Sequence, residues 1–410
     1  MKTSIRLLII AFLALTAGLP TLLRADDLYT ATAPVADHSD AARSQAVKLG
    51  MEEVLIRLTG VSDVASRPEV RAMLARVNAY VVEYSYTALN TNDSNLGLKV
   101  HYDRVGVDRF LRDRGLPIWP LNRPRILVWL VADSPLGESA FVTPAQAEAV
   151  QRSLDRVFDR RGMPVIYPRY DLQDQQHLPA EQALSFDTDA IALASSRYPV
   201  EGWMVVRLHQ PGDGVWRGAW IMGRDGQSMM RDVEALSLEA MLQTLVDQAV
   251  DAVAANFSYV ARKTADQVDV EVRGINSFRA YNNLITALED MSIIRKVEVT
   301  GLDGDHVQLV LAIEGERSHL LDSLYRYPGL EPLNPDGSVR SRETAVPTGS
   351  ASGVDVQNQG DALDDLTFQE AVDSAPDIPL ADGQTVPDPG VGIPVAEFEK
   401  VQHLRWIGGR

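Results

Sequence analysis

No cysteine occurs among the 410 residues. That absence excludes disulfides, thiolate metal sites, cysteine nucleophiles and the acylated cysteine of a lipoprotein, so the folded parts must be held by packing alone. Histidine is scarce. The seven residues His38, His101, His177, His209, His306, His319 and His403 form no His-x-x-x-His pair, which removes the helical zinc arrangement. No G-x-S-x-G elbow and no glycine-rich phosphate loop of the G-x-G-x-x-G or G-x-x-x-x-G-K type is found. Positive charge is also short: 39 Lys and Arg stand against 56 Asp and Glu, a formal net charge of −17. Such a surface repels nucleic acid and anionic membranes.

What is present begins with "MKTSIRLLIIAFLALTAGLPTLLRADD". Lys2 and Arg6 precede an apolar run from Leu7 to Leu15, and small and polar residues follow. This is the layout of a signal peptide over residues 1–25, with cleavage expected after Ala25. The run is well short of the roughly 20 apolar residues that cross a bilayer, although an uncleaved anchor is the alternative. The expected location is the periplasm, with no membrane-spanning segment after cleavage.

Hydrophobic periodicity divides the rest. Residues 26–118 read as strand, helix, strand, strand, helix. Val47, Met51, Val54, Leu55 and Leu58 recur at helical spacing, Ser39 or Asp37 can cap the helix, and Gly60 ends it. Residues 122–262 open on "RILVWLV", which has no polar alternation and suits a strand covered on both faces. A capping box at Thr143, Pro144 and Gln146 starts a helix, three strands joined by glycine turns follow, and a long helix runs from Ser237. Residues 266–330 repeat the first order, with Asn276 expected to cap the helix. The expected fold class is therefore α+β or α/β and multidomain: two small βαββα units flank a central α/β domain.

From Glu331 the composition changes. Residues 331–410 hold eight prolines, 14 acids and five basic residues, a net charge of 5 − 14 = −9. Too little apolar surface is present to offset the entropy of ordering, so this acidic tail is expected to be mostly disordered and removable without loss of the melting transition. Its end, "AEFEKVQHLRWIGGR", carries Phe398, Val401 and Trp406, and a short helix is expected at 396–407. That helix either docks on the chain's own domains or is a tethered recognition segment; docking is favoured, because exposed tryptophan is uncommon.

Three groups of side chains are candidates for a site. "LPIWPLNRPRILVWLV" (Leu116 to Val131) contains Pro117, Pro120 and Pro124, which fix backbone angles, together with Trp119, Arg123 and Arg125. An interdomain seam accounts for every residue of that stretch. A ligand or interaction site is the alternative, since tryptophan and arginine together compose binding hot spots. Trp216 and Trp220 lie four apart in an expected strand, hence on one face; sheet core is favoured over a platform for sugar rings. The tail residues Phe398, Val401 and Trp406 are the third. No cofactor, metal ligand set or catalytic constellation is found.

Several short motifs stand in a fixed order along the chain: Pro34, Val35, Asp37 and Ser39; Arg43 and Ala46; Arg57 to Gly60; Gly115 to Pro117; Trp119; and Asn122 to Pro124. In this order they resemble the DUF2066 family, uncharacterised exported proteins of Gram-negative proteobacteria. Pro120 departs from the glycine usual there. The resemblance implies export to the envelope and imports no activity. The leading expectation is a non-catalytic periplasmic protein that binds or scaffolds other envelope proteins. An envelope enzyme or cell-wall glycan binder with a carboxylate-lined cleft is the alternative. Oligomeric state is left open.

Overall fold

The computed structural model describes residues 28–88, 96–133, 139–142, 144–209, 214–224, 226–340 and 401–408. The segment expected to be a signal peptide, Thr143 of the capping box, Phe398 and tail residues 341–400 lie outside them. The chain is a mixed αβ protein, with ten α-helices and sixteen strands among the described residues. None of those helices is long and apolar enough to cross a membrane.

The first sheet has the order β1 (Thr30–Pro34), β3 (Leu96–Tyr102), β2 (Val81–Ala88), all antiparallel. Helix α1 (Asp40–Thr59) packs across it and buries Val47, Met51, Val54, Leu55 and Leu58. Its N-terminus is capped by Ser39, whose Oγ accepts from the amide of Ala42 at 3.2 Å. Its C-terminus stops at Gly60 with φ 74°, a left-handed angle. Helix α2 (Pro68–Leu74) starts on its proline, and α3 (Arg104–Asp113) follows the Asp103 cap. Strand β4 (Pro117–Ile118) then leads into the second region.

There β5 (Ile126–Asp133), β6 (Ser139–Phe141), β7 (Val165–Ile166), β8 (Gly202–His209), β9 (Trp216–Arg224) and β10 (Gln227–Ala235) form one sheet. Its order is β10-β9-β8-β5-β6, with β7 also beside β5. Strand β5 is parallel to β8 and β7, and both of its faces are covered. Val128 and Leu130 join the core shared with α4 (Pro144–Arg161) and α8 (Leu238–Phe257). Leu127, Trp129 and Val131 join the opposite core, under α6 (Ala180–Leu184) and α7 (Thr188–Ser195). Helix α5 (Leu172–His177) and α6 occupy a stretch without visible periodicity. Each has only two turns or fewer, too short to show an apolar stripe.

Strand β11 (Tyr259–Val260) pairs with β4 and brings the chain back to the first region. The last sheet has the order β13 (Ile294–Asp303), β14 (His306–Ile313), β12 (Asp266–Arg273), β16 (Val401–Trp406), β15 (Leu330–Pro332). Helix α9 (Phe278–Glu289) is capped by Ser277 rather than Asn276, because the Ser277 hydroxyl is placed to accept from the Ala280 amide at 3.1 Å. Helix α10 (Arg317–Arg326) precedes β15. One continuous apolar cluster runs through the first and last regions, so they share an interior although about 150 residues of chain separate them.

The end of the chain departs most from expectation. Val401–Trp406 is a strand, not part of a helix. Alternation decides it: Gln402, Leu404 and Trp406 are buried while Val401, His403 and Arg405 are half-buried, the period of two that a pleated strand imposes. The tail also does not begin at Glu331, since β15 and the turn that follows to Arg340 belong to the sheet. Leu404 is fully buried, so Leu404→Ala is expected to lower stability by about 2–5 kcal/mol, checked by urea unfolding. Ending the chain at Arg340 is expected to lower the melting temperature, the reverse of what a dispensable tail would show.

Candidate functional site

Three arginines meet where the first and second regions join. The linker enters through β4, and the Trp119 amide donates to the carbonyl of Leu58 at 2.8 Å. The Trp119 ring is 2% exposed and lies against Gly60. A Cβ at Gly60 would fall 2.2 Å from Ala254 Cβ, so the close approach of α1 and α8 requires glycine. The Arg123 guanidinium stacks over Trp119 at 3.9 Å from the ring centre. It donates to the carbonyls of Arg57 (2.6 Å), Arg161 (2.9 Å) and Gly162 (2.9 Å), which are the C-terminal ends of α1 and α4. A cation there complements the free carbonyls and the negative end of each helix dipole. Burial, reinforced by the charges of Arg57 and Arg161, pushes Arg123 down to about 9, so it stays charged at neutral pH.

Arg161 has no exposed surface at all. It donates to Asp247 at 2.8 Å, to Asp251, and to the carbonyl of Gly60 at 2.8 Å. Asp251 also accepts from the amide and the hydroxyl of Ser62, at 3.0 and 2.6 Å. Arg57 donates to Glu53 at 2.5 Å and to the carbonyl of Thr30 at 2.8 Å. Burial raises Glu53, and Arg57 and Arg160 oppose it. Helices α1, α4 and α8 are thus joined by charge-assisted hydrogen bonds that surround one tryptophan.

A second corner joins the first and last regions. Glu314 is 1% exposed and accepts from Arg112 at 2.8 Å, Arg295 at 3.0 Å and the Tyr259 hydroxyl at 3.1 Å. Asn122 donates across the same boundary to the carbonyl of Ser323 at 2.6 Å. A cavity of about 120 Å³ lies between the corners, lined by Tyr29, Arg104, Asp108, Arg112 and Trp119 among others. The Tyr29 hydroxyl donates to Asp108 at 2.5 Å, and burial raises both groups. That volume suits a few water molecules, well under the ~300–1,000 Å³ of pockets for larger ligands.

Of the candidates drawn from the linker, Trp119 and Arg123 come together, while Arg125 does not. It is half-buried at the start of β5, where its amide donates to Glu201 at 2.7 Å. Trp220 is fully buried and donates to Gln248 at 3.3 Å, and Trp216 is half-buried against the same core. The Trp220 ring therefore has no open stacking face, while the Trp216 ring is partly exposed. Trp406 is buried and its ring stacks with Tyr327 at 6.3 Å; Val401 begins β16; Phe398 lies outside the described residues. Arg161, Asp247, Asp251 and Glu314 carry the seam and were not singled out in the sequence. Their only signal is two arginines ahead of a helix-ending glycine, "RRG" at 160–162. Among the described residues no group of three or more His, Cys, Asp or Glu is gathered as a metal site.

The exposed counterpart is β2. Val82 sits at a break in register and is 61% exposed, and Tyr84 is 47% exposed. Arg43 lies over the Tyr84 ring at 5.6 Å, and His38 meets Tyr86 edge-on at 4.3 Å. Strand β2 is at the edge of its sheet, with main-chain groups free to pair on one side.

Trp119→Ala is expected to cost about 3–5 kcal/mol, read as a fall in thermal midpoint, because it removes a buried ring from beneath a buried cation. His319, in contact with Tyr259, is held below its ordinary value by burial, with Arg262 adding and Glu316 opposing. The unfolded chain therefore takes up this proton first. The associated stability is present above about pH 6.5 and is lost as the pH falls through the folded-state value. His319→Gln is expected to lose less of its urea midpoint between pH 7.5 and 5 than the wild type.

No curated protein matches the chain. Among solved structures, the N-terminal domain of Thermus thermophilus Protein Y aligns at 13% identity, over 33% of this chain and 98% of that one, with a TM-score of 0.16. A crystal structure titled uncharacterized protein aligns at 12% identity, over 33% and 89% of the two chains, with a TM-score of 0.14. Such scores support no inference about fold. A family model described as "Domain of unknown function (DUF8605)" matches residues 23–120. This corrects the resemblance to DUF2066: no model of that family matches, and most of the motifs that suggested it fall inside the DUF8605 stretch.

Proposed function

We propose that the protein is a non-catalytic binding or scaffold protein of the cell envelope. In this reading it is exported through its N-terminal segment and built as two βαββα modules, near 26–118 and 266–330, around a central α/β domain near 122–262. The observation that carries the reading is the contrast between interior and edge. The charged side chains at the joints are turned inward and bonded to one another or to helix ends, which makes a rigid frame. The exposed strand β2 presents Val82, Tyr84 and a stacked arginine, the composition of a protein-binding hot spot on an edge able to add a partner's strand.

A photo-crosslinking residue replacing Tyr84 of the full chain in living cells tests this. Discrete crosslinked products are expected, absent when the same residue replaces the exposed Lys48 and when Val82→Lys is added. Equal labelling from the two positions would overturn the reading of β2 as a binding edge. Mass spectrometry of the cell-derived protein is expected to find Asp26 as its first residue; an intact Met1 would overturn cleaved export.

A further inference from the structure

The cavity of about 120 Å³ between the first and last regions has walls of two kinds. Leu58, Leu111 and Ile118 supply an apolar half, and all three are buried. Tyr29, Arg104, Asp108 and Arg112 supply a polar half. Glu289 and Asp290, both exposed, line the solvent side.

Within the polar half each charge already has a neighbour of opposite sign. Asp108 accepts from the Tyr29 hydroxyl at 2.5 Å and lies 3.7 Å from Arg112, while Arg112 donates to Glu314 at 2.8 Å. Arg104 stands 4.0 Å from Asp108, with its guanidinium over the Tyr29 ring. One donor is left over. Trp119 lines the cavity and is 2% exposed, and its Nε1 is buried with no hydrogen-bond partner among the described residues. The Cε3 edge of that indole faces Gly60 and one face carries Arg123, so the opposite edge, with Nε1, is turned away from Gly60. A buried N–H without an acceptor has lost its hydration and gained nothing in exchange, so a site of this kind favours an occupant that accepts.

Water answers such a donor only in part, because a buried water needs several polar partners and an apolar wall offers none. A molecule with a polar end and an aliphatic body meets both halves. Size limits it: an apolar cavity of about 150 Å³ takes up a benzene ring, so this one suits about four to six non-hydrogen atoms. Charge limits it further. Both guanidinium groups already stand beside carboxylates, and Glu289 and Asp290 lie at the opening, so an added anion meets no free cation. Burial holds the Asp108 carboxyl above its ordinary value, with the Tyr29 hydrogen bond, Arg112 and Arg104 opposing and Glu314 adding, which disfavours another negative charge there.

We propose that this cavity is a binding site for a small neutral solute, an amide or alcohol with a short aliphatic body, whose oxygen accepts from Trp119 Nε1. The site stands independently of the reading of β2. Its walls come from both the first and the last regions, so occupancy stabilises the interior that they share.

Isobutyramide and isobutyrate have the same shape and differ in charge, which makes them the probes. In the isotope-labelled full chain, the indole N–H resonance that Trp119→Phe removes is expected to move saturably with millimolar isobutyramide and to stay in place with isobutyrate. No saturable movement, or equal movement with both compounds, would overturn the proposal. A second variant, Leu121→Phe, fills the space from a half-buried wall position and keeps the indole. It is expected to bind isobutyramide about tenfold more weakly or worse, read as loss of the rise in thermal midpoint that the wild type shows. An undiminished rise in that variant would place the ligand elsewhere and overturn the assignment.

Discussion

The structure depends on a guanidinium group that never meets water. Arg161 ends one helix, bonds the terminal carbonyl of a second and pairs with two carboxylates of a third. Burying such a charge is unfavourable unless each of its partners is in place, so the three helices have little freedom to shift singly. Arg123 repeats the arrangement without a carboxylate, drawing on carbonyl groups at two helix ends, on the Pro120 carbonyl and on the face of Trp119. These are directional bonds, and they locate the central sheet relative to the first one more narrowly than apolar contact alone would.

The same logic operates at Glu314, where one buried carboxylate collects two arginines and a tyrosine from separate regions. Together with the apolar cluster common to the first and last sheets, it makes those regions parts of one interior. The first and last regions are therefore not independent units but share one interior. Strand β16 shows the last sheet accepting a segment distant in sequence, and β2 exposes apolar and aromatic side chains at the border of the first.

Much of this was legible residue by residue. The apolar spacing of α1, the Ser39 cap, the Gly60 stop and the doubly covered β5 follow from local periodicity and from turn chemistry, which a sequence displays directly. The short helices α5 and α6 were not legible, since two turns cannot show a stripe. At the chain end, Phe398, Val401 and Trp406 are spaced for a helix on paper, yet the neighbouring alternation of Gln402, Leu404 and Trp406 answers to β12 and β15. A six-residue segment has too little intrinsic preference to resist two waiting strand edges. The family resemblance failed for a related reason: motifs made of caps and prolines recur wherever similar turns are needed.

By itself the sequence determined the absence of thiol chemistry, the acidic balance, the mixed αβ class and the positions of most long elements, because composition and period are local properties. Only tertiary structure decided that Arg123 would close the ends of two helices, that Arg161 would find Asp247 and Asp251, and that the final strand would be an inner one. Each joins residues tens to more than a hundred positions apart, and such pairings exist only once the chain has closed, since side chains remote in sequence carry no mark of whom they will meet.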